Sequence, residues 1–245
     1  MHRILITLLF ISHFICSFSQ SIEETKTKND LEVQIIEHIG YKVSYNQTWC
    51  IPNWVAYELT RSEVAGQYPR SGSFCPDPQV VGYTAVTSDY TKSGWDRGHM
   101  APAADMKWSE EVMLESFYLS NICPQNSGLN GGLWLSLEER ARYWANKDSN
   151  IFIVCGPIMD DVYDTIGANG VAVPKGFFKV ICKKYKGTYV GIGFIFPNEN
   201  CSGDIFDFAC PIDKVEEITG HDFFYILPDN VENTIERSFN LKDWN

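Results

Sequence analysis

Residues 95–102 read Trp95-Asp96-Arg97-Gly98-His99-Met100-Ala101-Pro102, and residues 121–142 carry Asn121, Asn130, Trp134, Glu138 and Arg142. In the first segment a carboxylate, a guanidinium and an imidazole crowd around one glycine. Such a group can be an ion pair beside a turn. It can also be chemistry, because imidazole titrates near neutral pH and suits proton transfer. The second segment bears on that choice. Asn130, Trp134, Glu138 and Arg142 recur every four residues, which predicts one slowly drifting helix face, with the helix placed over 133–146. Side chains lean toward a helix's start, so Glu138 is expected to reach back toward Asn130. An amide oxygen, a carboxylate and arginines suit a hydrated Mg²⁺, which takes few protein ligands and keeps several waters. The same residues would equally pin a helix to a sheet as a buried polar network. The pattern alone leaves both readings open.

Outward from this core, the chain reads as a mixed α+β fold with a largely antiparallel central sheet flanked by helices. Strands are expected at 41–45 and 54–59 around a Pro52-Asn53 turn, and at 151–155, 177–182 and 189–196. Helices are expected at 109–120, capped by Ser109, and at 133–146, 211–219 and 231–238. His38 lies in a strand-like run and His221 follows the helix stop Gly220, so both are expected to be structural. Residues 1–19 read as a secretory signal, with Arg3 ahead of an apolar run and Ser17-Phe18-Ser19 before the cut. A flexible leader over 20–30 and a single domain over 31–245 follow, and the protein is expected to be exported to an extracellular or periplasmic space. No later stretch reaches the length of a membrane-spanning helix, so no membrane partner is expected.

The 245 residues are 44% hydrophobic and 21% charged, which excludes a wholly disordered or fibrous chain. Acids outnumber bases 31 to 20, for a net charge of −11. A protein that coats nucleic acid by bulk charge has the opposite sign, although Arg70, Arg97, Lys107 and Arg142 allow a local cationic cleft. Of the eight cysteines, seven lie beyond residue 19. In an oxidising compartment some are expected to form disulfide bonds, with Cys201 and Cys210 closing a short loop or Cys155 and Cys182 facing each other as candidates. No pair has the spacing of a zinc knuckle.

Asp96-Arg97-Gly98-His99 with Ala101-Pro102, then Ser120-Asn121, Pro124-Gln125, Leu129-Asn130, Trp134 and Leu137-Glu138, resembles the DNA/RNA non-specific endonucleases. The match is dense over 95–142 and looser on either side. The resemblance implies the ββα-metal (His-Me finger) nuclease fold and activity on DNA and RNA. It implies that His99 is the general base and that Asn130 is the single direct protein ligand of a Mg²⁺ ion, with Mn²⁺ as a substitute. Asp96 and Glu138 would hold metal-bound waters, Arg142 would sit near the scissile phosphate, and Arg97 would orient the site or steady the leaving side. Asn121 would fix the geometry around His99. Arg70, ahead of Phe74 and Asp77-Pro78, would stabilise charge developing on phosphorus. The leading expectation is therefore an exported metal-dependent hydrolase, an endonuclease with little sequence preference. A nucleotide phosphodiesterase and a non-catalytic secreted binding protein are the competing readings. No oligomeric state follows from the sequence.

Overall fold

The apolar runs of the chain's middle become the centre of a seven-stranded antiparallel sheet in the computed structural model, which describes residues 21–245. The expected signal over 1–19 lies outside the described residues. In chain order the strands are β1 (Thr25–Lys26), β2 (Gln34–Glu37), β3 (Lys42–Asn46), β4 (Ile51–Thr60), β5 (Asp96–His99) and β6 (Ile122–Gln125). They continue with β7 (Asn150–Ile158), β8 (Thr165–Ile166), β9 (Val171–Ala172), β10 (Gly176–Tyr185), β11 (Thr188–Pro197), β12 (Ala209–Cys210) and β13 (Asp222–Phe223). The large sheet runs β12-β11-β10-β7-β4-β3-β2.

Both faces of its central strands are covered, which is why they read as continuous apolar runs. On one face Val55, Tyr57, Ile153, Cys155, Phe177 and Ile181 pack with Leu137, Ala141 and Trp144 of the long helix Leu135–Asp148. On the other, Trp54, Phe152, Val154, Phe178 and Val180 pack with Ile212, Val215 and Ile235 of the helices Ile212–Thr219 and Asp229–Arg237. No helix among the described residues is long and apolar enough to cross a membrane.

Three details depart from the sequence expectations. Pro52 and Asn53 lie inside β4; the chain reverses just before it, where Cys50 takes a positive φ of 55°. A register shift between Ser44 and Tyr45 places Pro52 opposite Tyr45, an irregularity of the kind that accommodates a proline lacking an N–H. The stretch 109–120 splits: Ser109 caps Glu110–Glu115 by accepting from Val112 N at 3.2 Å, and a separate 3₁₀ turn covers Leu119–Asn121. Part of the expected flexible leader is docked. Thr25–Lys26 pairs with β13, Thr27 Oγ1 accepts from Trp54 Nε1 at 2.8 Å, and Lys28 N donates to His221 Nδ1 at 3.2 Å.

No disulfide links the described residues, contrary to expectation: Cys50, Cys75, Cys123, Cys155, Cys182, Cys201 and Cys210 are not bonded to one another. The β7–β10 register sets Lys179 opposite Cys155 and Phe152 opposite Cys182, so the two thiols face opposite sides of the sheet. Cys201 Sγ donates to the main chain at Glu199 O (3.4 Å), and Cys210 is held in β12 opposite Gly193.

Candidate active site

β5 and β6 pair antiparallel, with Asp96 opposite Gln125 and His99 opposite Ile122. The chain then leaves β6 through a short helical turn, Ser127–Leu129, capped by Asn126 Oδ1, which accepts from Gly128 N at 2.9 Å. A π-helical turn over Asn130–Trp134 leads into Leu135–Asp148. The result is two short strands and a helix lying against the large sheet. Gly98 is where the two strands close on each other. A Cβ built there would sit 2.2 Å from Gln125 Oε1 and 2.6 Å from Gln125 Cβ, and Gln125 is itself fully buried. Gly98→Ala is therefore expected to cost about 1–3 kcal/mol through overpacking. Thermal unfolding reads this directly, and an unchanged Tm would contradict so close an approach.

His99 sits between two aromatic rings. Phe74 lies 5.3 Å away and Phe117 meets it edge-on at 5.4 Å. Burial, with a smaller contribution from the Arg70 charge, pushes its pKa down to about 3, so the imidazole is neutral at any ordinary pH. Its Nε2 is buried and has no hydrogen-bond partner among the described residues. The main chain around it is fixed twice. Trp134 Nε1 donates to His99 O at 3.3 Å. The fully buried Asn121 brackets Ala101, accepting from its N–H at 2.9 Å and donating to its carbonyl at 2.8 Å.

Asn130 Nδ2 donates to Asp96 Oδ2 at 3.0 Å, and Ser127 Oγ donates to Asp96 Oδ1 at 2.8 Å. With its amide nitrogen committed, Asn130 presents Oδ1 as a fixed acceptor. Gly132 breaks the helix here with φ −110° and ψ −115°, and a Cβ on Gly131 or Gly132 would meet nothing within 4 Å. The surface beside Asn130 is open. The break also means that Asn130 and Glu138 do not share one continuous α-helical face, contrary to the four-residue spacing.

Glu138 is 7% exposed, and burial pushes its pKa up to about 7 against the attraction of Lys179, Arg142 and Arg70. No hydrogen bond is among the leading influences on it. A buried carboxylate of this kind, together with an amide oxygen whose nitrogen is bonded to an acidic neighbour, makes an all-oxygen donor set that suits a hard, hydrated divalent cation. Asn130, Asp96 and Glu138 therefore fit the metal the sequence implied.

The arginines are placed differently from one another. Arg142 Nη1 donates to the buried Asp105 at 2.8 Å, and Asp105 also accepts from Tyr57 Oη at 3.0 Å. Arg97 donates to Thr87 O at 2.9 Å and stacks over Phe74 at 5.4 Å. Arg70 is exposed and stacks on Phe117 at 5.4 Å, next to the His99 ring.

Sequence reasoning missed Asp105, Tyr57 and Lys179. Lys179 is fully buried on β10, its Nζ 4.3 Å over the Trp134 ring and without a hydrogen-bond partner among the described residues, and its charge acts on both Glu138 and Asp105. Its signal was a lysine inside the apolar run Phe177-Phe178-Lys179-Val180-Ile181. Asp105 carried none.

The sequence pattern of the DNA/RNA non-specific endonucleases matches residues 19–230. Nuclease EXOG, mitochondrial, of Danio rerio is 43% identical over 176 residues, covering 66% of this chain and 51% of its own length. Its Xenopus laevis counterpart is 36% identical over 205 residues, covering 77% and 57%. Endonuclease G, mitochondrial, of Homo sapiens is 33% identical over 204 residues, covering 77% and 66%. The chain thus spans about half the length of the first two of these relatives. A chain of the solved EndoG/EndoGI complex superposes with a TM-score of 0.77 at 31% identity, covering 82% of this chain and 89% of that one. The relatives are named as mitochondrial proteins, which overturns the expectation of export to an extracellular or periplasmic space. Matched over most of its length and built around a ββα unit that carries His99 and Asn130, the chain belongs to the DNA/RNA non-specific endonuclease family.

Proposed function

We propose that this chain is a metal-dependent endonuclease that hydrolyses phosphodiester bonds in DNA and RNA with little sequence preference. The observation that carries the reading is a neutral, rigidly framed imidazole at the end of β5, the strand whose Asp96 orients the Asn130 amide, with open space at Gly131 and Gly132. An open face, unlike an enclosed pocket, admits a polymer anywhere along its length.

His99 takes the proton from the attacking water. Since Nε2 is the buried nitrogen, Nδ1 is the one that receives it. Phe74 and Phe117 keep the ring from turning, and Asn121 and Trp134 hold the backbone that carries it. Asn130 would hold Mg²⁺, with Mn²⁺ as a substitute, and Asp96 and Glu138 would support its waters; when bound, the ion would supply Lewis-acid stabilisation of the leaving oxygen. Arg70 adds positive charge beside the imidazole, where charge accumulates on phosphorus. Arg142, oriented by Asp105, faces the same region from the long helix and acts on Glu138. Arg97 braces Phe74 and so acts by positioning.

The net charge of −11 makes binding depend on these few cations. If about three of them each neutralise one phosphate, affinity falls roughly 40-fold between 50 and 200 mM salt. Steady-state kcat/KM at several ionic strengths measures this, and a flat profile would contradict a cationic cleft. The reading itself is tested by offering supercoiled plasmid, structured RNA and a small nucleotide phosphodiester. Internal cuts in both polymers are expected. Hydrolysis of the small ester alone would replace this reading with a nucleotide phosphodiesterase.

A further inference from the structure

The helices Ile212–Thr219 and Asp229–Arg237 lie on the face of the sheet opposite the long helix, anchored by Ile212, Val215 and Ile235. Where they meet, one carboxylate oxygen each from Asp213, Glu216 and Glu236 lies within 4.8 Å of the other two. Clusters of acids on exposed helices are common and mean little alone. This one differs in Glu236, which is 7% exposed and whose Oε1 is buried without any hydrogen-bond partner among the described residues. Glu216 is committed from one side, accepting from Phe223 N at 2.9 Å, which fixes its carboxylate in the cluster.

Among the described residues, the charges acting most strongly on Glu236 are all negative, the carboxylates of Glu216, Glu232, Asp213 and Asp222. The cations nearby are engaged elsewhere: Lys26 pairs with Asp222 at 2.7 Å, and Lys214 pairs with Glu217 at 2.8 Å. A buried, unpaired carboxylate among like charges calls for a positive partner.

We propose that Asp213, Glu216 and Glu236 form a site for a divalent hard cation of the Ca²⁺ kind, which clamps the two C-terminal helices together. The donors are oxygens only, the set that Ca²⁺ takes at 2.3–2.6 Å, so two ligands of one ion stand at most about 5 Å apart. The observed spacing falls within that reach. Asp213 is exposed, leaving the outer side of the site to water. The site lies across the sheet from His99 and Asn130, so its role is to hold structure and not to take part in hydrolysis.

Chelator-stripped protein titrated with Ca²⁺ while thermal unfolding is followed tests the assignment. With Ca²⁺ at about 100 times its Kd, a Tm rise of about 5–10 °C is expected. The rise should persist in Asn130→Ala, which separates it from the catalytic centre, and should vanish in Glu236→Gln and Asp213→Asn, both of which keep wild-type plasmid cleavage in Mg²⁺. Asp213→Asn is a surface change and keeps the test valid should Glu236→Gln fold poorly. A Tm indifferent to Ca²⁺ overturns the proposal, as does an equal rise in the wild type and both cluster variants. So does stabilisation that appears only on acidification through about pH 8, because the cluster would then be held by a carboxyl proton on Glu236.

Discussion

Replacing His99 by alanine lowers kcat by about 10²–10⁴-fold, the span attributable to a positioned general base. The fold should survive, because Trp134 and Asn121 bond the main chain around residue 99 and make no use of its ring. Metal binding should survive as well, since Asn130, Asp96 and Glu138 are untouched. The pH profile sharpens the expectation. With its pKa pushed down to about 3, His99 is already neutral across the working range and imposes no acid limb of its own. The limb belongs to Glu138, pushed up to about 7 by burial in the cation-free protein. Below that value the carboxyl is protonated and holds no cation, so activity falls as pH drops. Raising Mg²⁺ favours the ionised form and moves the limb to lower pH. His99→Ala should leave the limb in place at a much lower rate, and Glu138→Gln should remove it. A limb that disappears with His99→Ala and persists in Glu138→Gln would reverse these assignments.

The second large effect is expected at Asn130. Its Nδ2 is held by Asp96, which leaves Oδ1 free to meet a cation as the proposed function requires. Asn130→Ala removes that atom, and the several kcal/mol that a bound cation contributes to the transition state correspond to about 10²–10⁴ in rate. The Mg²⁺ concentration for half-maximal activity should rise at the same time, with partial recovery at high Mg²⁺, because Asp96 and Glu138 remain. Asp96→Asn should give a milder version, about 10–100-fold, as the loss of an orienting partner usually does. Equal loss in both variants with no change in Mg²⁺ requirement would mean that Asn130 acts only as a structural residue.

Much of this was legible in the sequence because the relevant physics is local. The strands at 151–155, 177–182 and 189–196 announce themselves by apolar runs that only a sheet covered on both faces can bury. Asp96, His99, Asn130 and Glu138 could be named because they sit in short motifs along 95–142. What could not be read was set by tertiary placement. Gly132 interrupts the helix, so the four-residue spacing from Asn130 to Glu138 overstated its continuity. Strand register decides which face a side chain takes, and it parted Cys155 from Cys182 while bringing Lys179 to the side of Glu138. Asp105 reaches Arg142 and Tyr57 across long stretches of chain, and no local pattern marks it.

Supercoiled-plasmid cleavage in Mg²⁺, with and without chelator and with His99→Ala alongside, decides whether this chain is a metal-dependent endonuclease with His99 as its base. The account predicts nicked, then linear, then fragmented DNA, abolished by the chelator, restored by added Mg²⁺, and lost in His99→Ala. Intact plasmid with folded, Mg²⁺-supplied protein, or cleavage that neither the chelator nor the substitution affects, would contradict it.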